Sequence, residues 1–216
     1  MTADLPLTHE SIPPREDTDG PAPAVFVLHG RGADEGDLLP VARHLPDAYH
    51  VVSFRAPDRL MGGYTWYELD LSGGGLHSSQ PQPEVFRRSL DVVWESVEAA
   101  VDAYGLDEDR LGFLGFSQGA ITSLSTLAEH SEAVSWVVAL HGYLAAEHAG
   151  DDVSLDGTPV FVGGGEADDV IPASRCETAA DRLREWGAEV TFRTYPVGHG
   201  IGQDELRDLV SFVEAR

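Results

Sequence analysis

The feature that most narrows what this chain can fold into is a five-residue turn, Gly115-Phe116-Ser117-Gln118-Gly119. It stands between the apolar run Leu111-Gly112-Phe113-Leu114 and the helix-forming run Ala120-Ile121-Thr122-Ser123-Leu124. A turn that passes directly from strand to helix strains its central residue, and small neighbours at 115 and 119 remove the clashes. Such turns belong to sheets whose strands alternate with helices. The rest of the chain has that alternation. Residues 24–28, 50–54, 110–116, 133–140, 159–162 and 189–195 are runs of strand length. Residues 37–45, 84–104, 117–129, 173–186 and 204–214 carry helical spacing, as in Leu90, Val93, Val97, Ala100 and Val101. The order implies an α/β domain with a mostly parallel sheet covered by helices on both faces. Residues 1–23 read as a polar leader with room for one short edge strand, and residues 24–216 as one domain with no large cap inserted. Residues 56–83, with Gly62-Gly63, Gly73-Gly74-Gly75, Pro81 and Pro83, read as one long loop. Loops of that length are more often functional than idle.

In open sheets of this kind, ligands bind beyond the carboxyl ends of the strands. Ser117 is then a nucleophile lifted clear of the sheet, with the free N–H groups of a helix start aimed at the substrate. The bland reading, a Gly-flanked serine capping a helix, fits its placement less well. A serine hydroxyl needs a base, and the base needs an orienting acid. In this architecture the order along the chain is Ser, then Asp or Glu, then His. His130, His141, His148 and His199 follow Ser117. His199 stands on the Gly-flanked loop after the run 189–195 and is the expected base. His141 also follows a strand, so it is the runner-up and a candidate pocket residue. Glu166, Asp168 and Asp169 follow the strand at 159–162, and spacing does not choose between Asp168 and Asp169. His29 has no second ligand at helical or turn spacing, so it is read as structural, and no metal or cofactor is expected.

The 216 residues carry 37 acidic and 14 basic side chains, a formal net charge of −23, and every basic residue is Arg. Such a surface repels nucleic acid and anionic membranes. Self-repulsion at this density destabilises the compact state unless salt screens it, so the composition reads as adaptation to a high-salt cytoplasm. The one cysteine, Cys176, excludes an internal disulfide. No apolar run approaches the roughly 20 residues of a membrane helix.

The motifs Leu28-His29-Gly30-Arg31-Gly32, Arg55-Ala56-Pro57, Gly115-Phe116-Ser117-Gln118-Gly119, Gly165-x-x-Asp168-x-x-Ile171-Pro172 and Gly198-His199 occur in this order. With them the chain, from about residue 24 to its end, resembles the phospholipase/carboxylesterase branch of the α/β-hydrolases, which includes the acyl-protein thioesterases. The resemblance implies an α/β-hydrolase fold and a serine carboxylesterase forming an acyl-enzyme on Ser117. It places the acid at Asp168, four residues before the proline, and the oxyanion hole at the backbone N–H groups of Arg31 and Gln118. It also marks departures: His141 stands where the family often has Ser, and Gly164 where it often has His. Residues 62–83 are the expected wall of the acyl groove, with Tyr64, Trp66 and Tyr67 as lining. The implied partner is a small ester or thioester, with a homodimer left open. An acyl thioesterase or lysophospholipase would use the same triad. A peptidase of related fold usually carries extra domains, for which this chain has no room. A binding protein on the same scaffold is the alternative of another class, against which the intact Ser, Asp and His stand.

Overall fold

The computed structural model describes residues 3–17, 20–148, 150 and 152–216, so residues 1, 2, 18 and 19 of the leader lie outside the described residues. Seven strands form one sheet: β1 (His9–Ile12), β2 (Ala22–Leu28), β3 (His50–Phe54), β4 (Leu106–Phe116), β5 (Val134–Leu140), β6 (Pro159–Gly165) and β7 (Glu189–Tyr195). Their order across the sheet is β1-β3-β2-β4-β5-β6-β7. β1 pairs antiparallel with β3, and the other pairings are parallel. The boundary read at residue 24 falls inside β2, and the leader supplies β1 to the same sheet.

Period-two alternation divides the strands between two cores. In β2, Ala24, Phe26 and Leu28 face one core, while Val25 and Val27 face the other. The first core is closed by α2 (Pro83–Tyr104), α3 (Gln118–Glu129) and α4 (Ala173–Glu185). The second is closed by α1 (Leu39–Ala42) and α5 (Gln203–Glu214). Helices therefore cover both faces. Phe26 stacks on Phe54 at 5.6 Å and meets Phe113 at 5.5 Å, locking β2, β3 and β4 together. Each such buried ring contributes about 2–3 kcal/mol.

Two elements differ from the sequence reading. α1 is one turn rather than residues 37–45, because after Ala42 the chain tightens into i→i+3 bonds, His44 to Val41 and Leu45 to Ala42. β4 starts at Leu106 rather than 110. Leu106 pairs with Ala22 and Leu111 with Ala24, so the polar residues between Leu106 and Leu111 bulge toward solvent and hide the strand's beginning in the sequence.

The chain runs from β2 outward to β3 and then crosses to β4 on the other side of β2. The carboxyl ends of β2 and β4 lie side by side at this switch point, with Leu28 opposite Gly115. The loops that follow, at His29 and at Ser117, are thereby brought together.

Candidate active site

Ser117 follows β4 and precedes α3 with φ 54° and ψ −118°, a conformation that costs a non-glycine residue free energy. Its N–H is held by the Leu140 carbonyl of β5 at 2.9 Å, and its carbonyl accepts from Ile121 of α3 at 3.1 Å. Gly119 explains the motif's last position: a Cβ there would lie 1.9 Å from the Leu28 carbonyl oxygen. The start of α3 presses against the end of β2, and only a glycine allows it.

His199 Nε2 lies 2.9 Å from Ser117 Oγ, and His199 Nδ1 lies 2.7 Å from Asp168 Oδ2. The loops carrying them are tied by backbone bonds from Glu166 to the Tyr195 carbonyl (2.8 Å) and from Ala167 to the Val197 carbonyl (3.0 Å). Asp168 Oδ1 accepts the N–H groups of Val170 and Ile171, each at 2.9 Å. Burial works to raise the Asp168 pKa. The bonds from His199, Ile171, His141 and Val170 outweigh it and hold the carboxyl below its usual range. The neighbouring Asp169 is exposed and makes none of these contacts.

The loop after β2 is built as a rigid support. His29 is buried; its Nδ1–H donates to the Gly30 carbonyl (2.7 Å) and its Nε2 accepts the Ala56 N–H (3.0 Å). Burial lowers its pKa, so the ring is neutral in that tautomer. Arg55 forms a two-pronged ion pair with Glu35, which gives the Arg55-Ala56-Pro57 motif a physical role behind this loop. Among the described residues no acceptor meets the Arg31 N–H. Gln118 opens α3, so its N–H has no intrahelical carbonyl to bond.

The profile of the phospholipase/carboxylesterase family matches residues 11–216. The chain belongs to that family. It is a hydrolase of the α/β-hydrolase type. Acyl-protein thioesterase 1 of Candida albicans is 28% identical, the match covering 88% of this chain and 90% of the relative. In fold, a Bacillus cereus carboxylesterase superposes with a TM-score of 0.85 at 23% identity, covering 97% of this chain and 94% of its own. A Mesorhizobium loti carboxylesterase gives 0.86 at 23% identity, covering 100% and 98%.

A cavity of about 190 Å³ opens beside Ser117 of this hydrolase. Arg31, Gln118 and His199 border its polar end, and Leu69, Leu76, Ile121, Tyr143, Val170 and Ile171 line the rest. The long loop does wall the cavity, through Leu69, Leu76 and Ser79 rather than through its aromatics. Trp66 and Tyr67, expected as lining, are fully buried and do not line this cavity, although Tyr67 borders a neighbouring groove. The Gln118 side chain turns them inward: it accepts from Thr65 Oγ1 (2.9 Å) and the Trp66 N–H (3.2 Å), and donates to the Tyr67 carbonyl (2.9 Å). Trp66 Nε1 then donates to the His29 carbonyl at 2.8 Å, and Tyr67 meets Phe86 edge-on at 4.7 Å. Tyr64 lies under the Arg55 and Arg59 guanidinium groups, 4.7 and 5.9 Å from its ring.

His141 likewise does not line the cavity. It is fully buried behind Asp168, with Nδ1 at 2.9 Å from Asp168 Oδ2 and Nε2 at 3.3 Å from Glu205 Oε2. Glu205, also fully buried, was not singled out in the sequence. A signal for it exists: it shares the inward face of α5 with Leu209, Phe212 and Val213, an acid on an apolar stripe.

Proposed function

We propose that this hydrolase cleaves small carboxylic esters through an acyl-enzyme on Ser117. The observation that carries the reading is the unbroken hydrogen-bond line from Ser117 Oγ through His199 to Asp168. His199 Nε2 takes the hydroxyl proton as Oγ attacks the carbonyl carbon, and Asp168 stabilises the imidazolium that forms. The Arg31 and Gln118 N–H groups receive the negative charge on the carbonyl oxygen. His199 then passes its proton to the leaving alcohol. A water deprotonated by the same ring releases the acid and restores Ser117.

The cavity beside Ser117, at about 190 Å³, has an apolar lining suited to an acyl group, and it shares Arg31, Leu69 and Leu76 with the neighbouring groove of about 670 Å³. The likeness to an acyl-protein thioesterase supports a second reading, a thioester substrate cleaved by the same residues. A matched series of oxygen esters and thioesters, with acyl chains lengthened stepwise, separates the two. The ester reading expects kcat/KM to be higher for the oxygen ester of each pair. A consistent preference for long-chain thioesters would overturn it.

A further inference from the structure

The triad does not end at Asp168. Behind it the line continues through His141 to Glu205, and nothing in the reaction above uses these two buried groups. The hydrogen bonds around Asp168 fix the proton on one side of His141. Asp168 accepts four N–H donors, two on each oxygen, when His141 Nδ1 is counted. It has no oxygen left to carry a proton. Asp168 is therefore the acceptor and His141 Nδ1 a donor. Glu205 Oε2 is already approached by the Gly202 N–H at 3.4 Å. Among the described residues Glu205 Oε1 has no hydrogen-bond partner. It lies against Gly163, where a Cβ would come within 2.3 Å of it, so that glycine is what admits the carboxylate. A carboxylate at Glu205 would take an N–H from His141 Nε2 as well, leaving the ring protonated on both nitrogens between two acids.

We propose that His141 and Glu205 form a buried imidazolium–carboxylate pair behind Asp168, and that the pair acts as positioning groups: it clamps Asp168 and sets a positive charge edge-on to His199. This rests on the reading of Ser117, His199 and Asp168 as the reacting triad. The two imidazole rings stand 5.7 Å apart at 88°, with Phe116 against both. A cation so placed stands beside the ring that receives the Ser117 proton, which couples the pair to the pH profile of the reaction. Two further titratable groups near the pair stay neutral. Cys176 of α4, near both carboxylates, has its thiol pushed up to about 12 by burial, and the Tyr195 hydroxyl of β7 is also raised by burial and donates to Asp208. His141 itself is affected first by burial, which lowers its pKa; the bonds and charges of Glu205 and then Asp168 raise it and prevail.

The test reads the charge on His141 directly. Imidazole ¹⁵N shifts of histidine-labelled protein, with His141 assigned by its loss in His141→Asn, are followed across pH. Both nitrogens are expected in the imidazolium range at about pH 7. In Glu205→Gln, which keeps the side-chain shape, one nitrogen moves to the unprotonated range at that pH. The acid limb of kcat/KM then shifts by roughly half a pH unit or more while KM is unchanged. A neutral His141 at that pH in the native chain, or an acid limb unmoved in a folded Glu205→Gln protein, overturns the proposal. Native protein that is inert toward esters and does not react at Ser117 instead overturns the triad reading, whatever the charge on His141.

Discussion

Asp168 divides the site into two halves that use the same side chain in opposite ways. In front, His199 is partly open to solvent, faces the cavity and is bonded to one carboxylate and one hydroxyl. Behind, His141 is sealed from solvent and bonded to two carboxylates. An imidazole between an acid and an alcohol can exchange a proton during turnover. An imidazole between two buried acids favours its charged form. The surroundings, not the residue type, separate a candidate base from a candidate positioning group.

The sharpest way to break this comparison is to remove each ring in turn. His199→Ala should lower kcat/KM by about 10⁴-fold or more. His141→Asn should keep far more activity, because it leaves the line from Ser117 to Asp168 in place. Equal losses in two folded variants would erase the distinction between front and back.

The front half also has a floor that can be taken away. Gln118→Ala leaves the Trp66 N–H buried without its partner and the Tyr67 carbonyl with Thr65 Oγ1 alone, a loss of about 1–3 kcal/mol in stability seen by denaturant unfolding. The backbone N–H at 118 survives, so kcat should fall only as far as the loop at His29 loosens. A variant as stable as the native chain would show that the Gln118 side chain does not support the loop.

The back half gives a pH signature. Burial lowers the His141 pKa, but Glu205 and Asp168 outweigh it, so the folded value lies above the ordinary 6.5. A raised folded value stabilises fully below the unfolded value, and the gain is lost as pH rises through the folded value. The stability gap between the native chain and Glu205→Gln should therefore be widest in mildly acidic solution and shrink on the alkaline side, measured by melts across pH. A gap that widens with pH has the wrong sign for this account.

The smallest effect contrasts the interior with the surface. Among the described residues, the buried carboxylates are Glu35, Asp168 and Glu205, so the acidic excess lies outside the core. Added KCl screens exposed charges far more than buried ones. The melting temperature should rise with KCl by a similar amount in the native chain and in Glu205→Gln. A temperature that stays flat or falls would contradict the reading of salt adaptation.

The sequence showed the frame and the front half because both are written locally. Apolar runs mark the strands, helical spacing marks α2 and α3, and Ser117 and His199 each sit on Gly-flanked turns. The choice of Asp168 over Asp169 came from resemblance, since adjacent acids on one loop look alike until the Val170 and Ile171 N–H groups enclose one of them. The back half was harder to see. Glu205 is one acid among many in an acidic chain, and only its alignment with Leu209 and Phe212 on the buried face of α5 distinguishes it. That Trp66 and Tyr67 turn into the core is not legible locally, because their direction is set by Gln118, about fifty residues away in sequence.

The central claim is that Ser117 is a nucleophile activated by His199. Reaction of the folded protein in high KCl with a fluorophosphonate, followed by mass mapping of the adduct, tests it most directly. The account predicts a stoichiometric adduct on Ser117 that is lost in folded His199→Ala and retained in His141→Asn. A folded native protein that leaves Ser117 unmodified would contradict it.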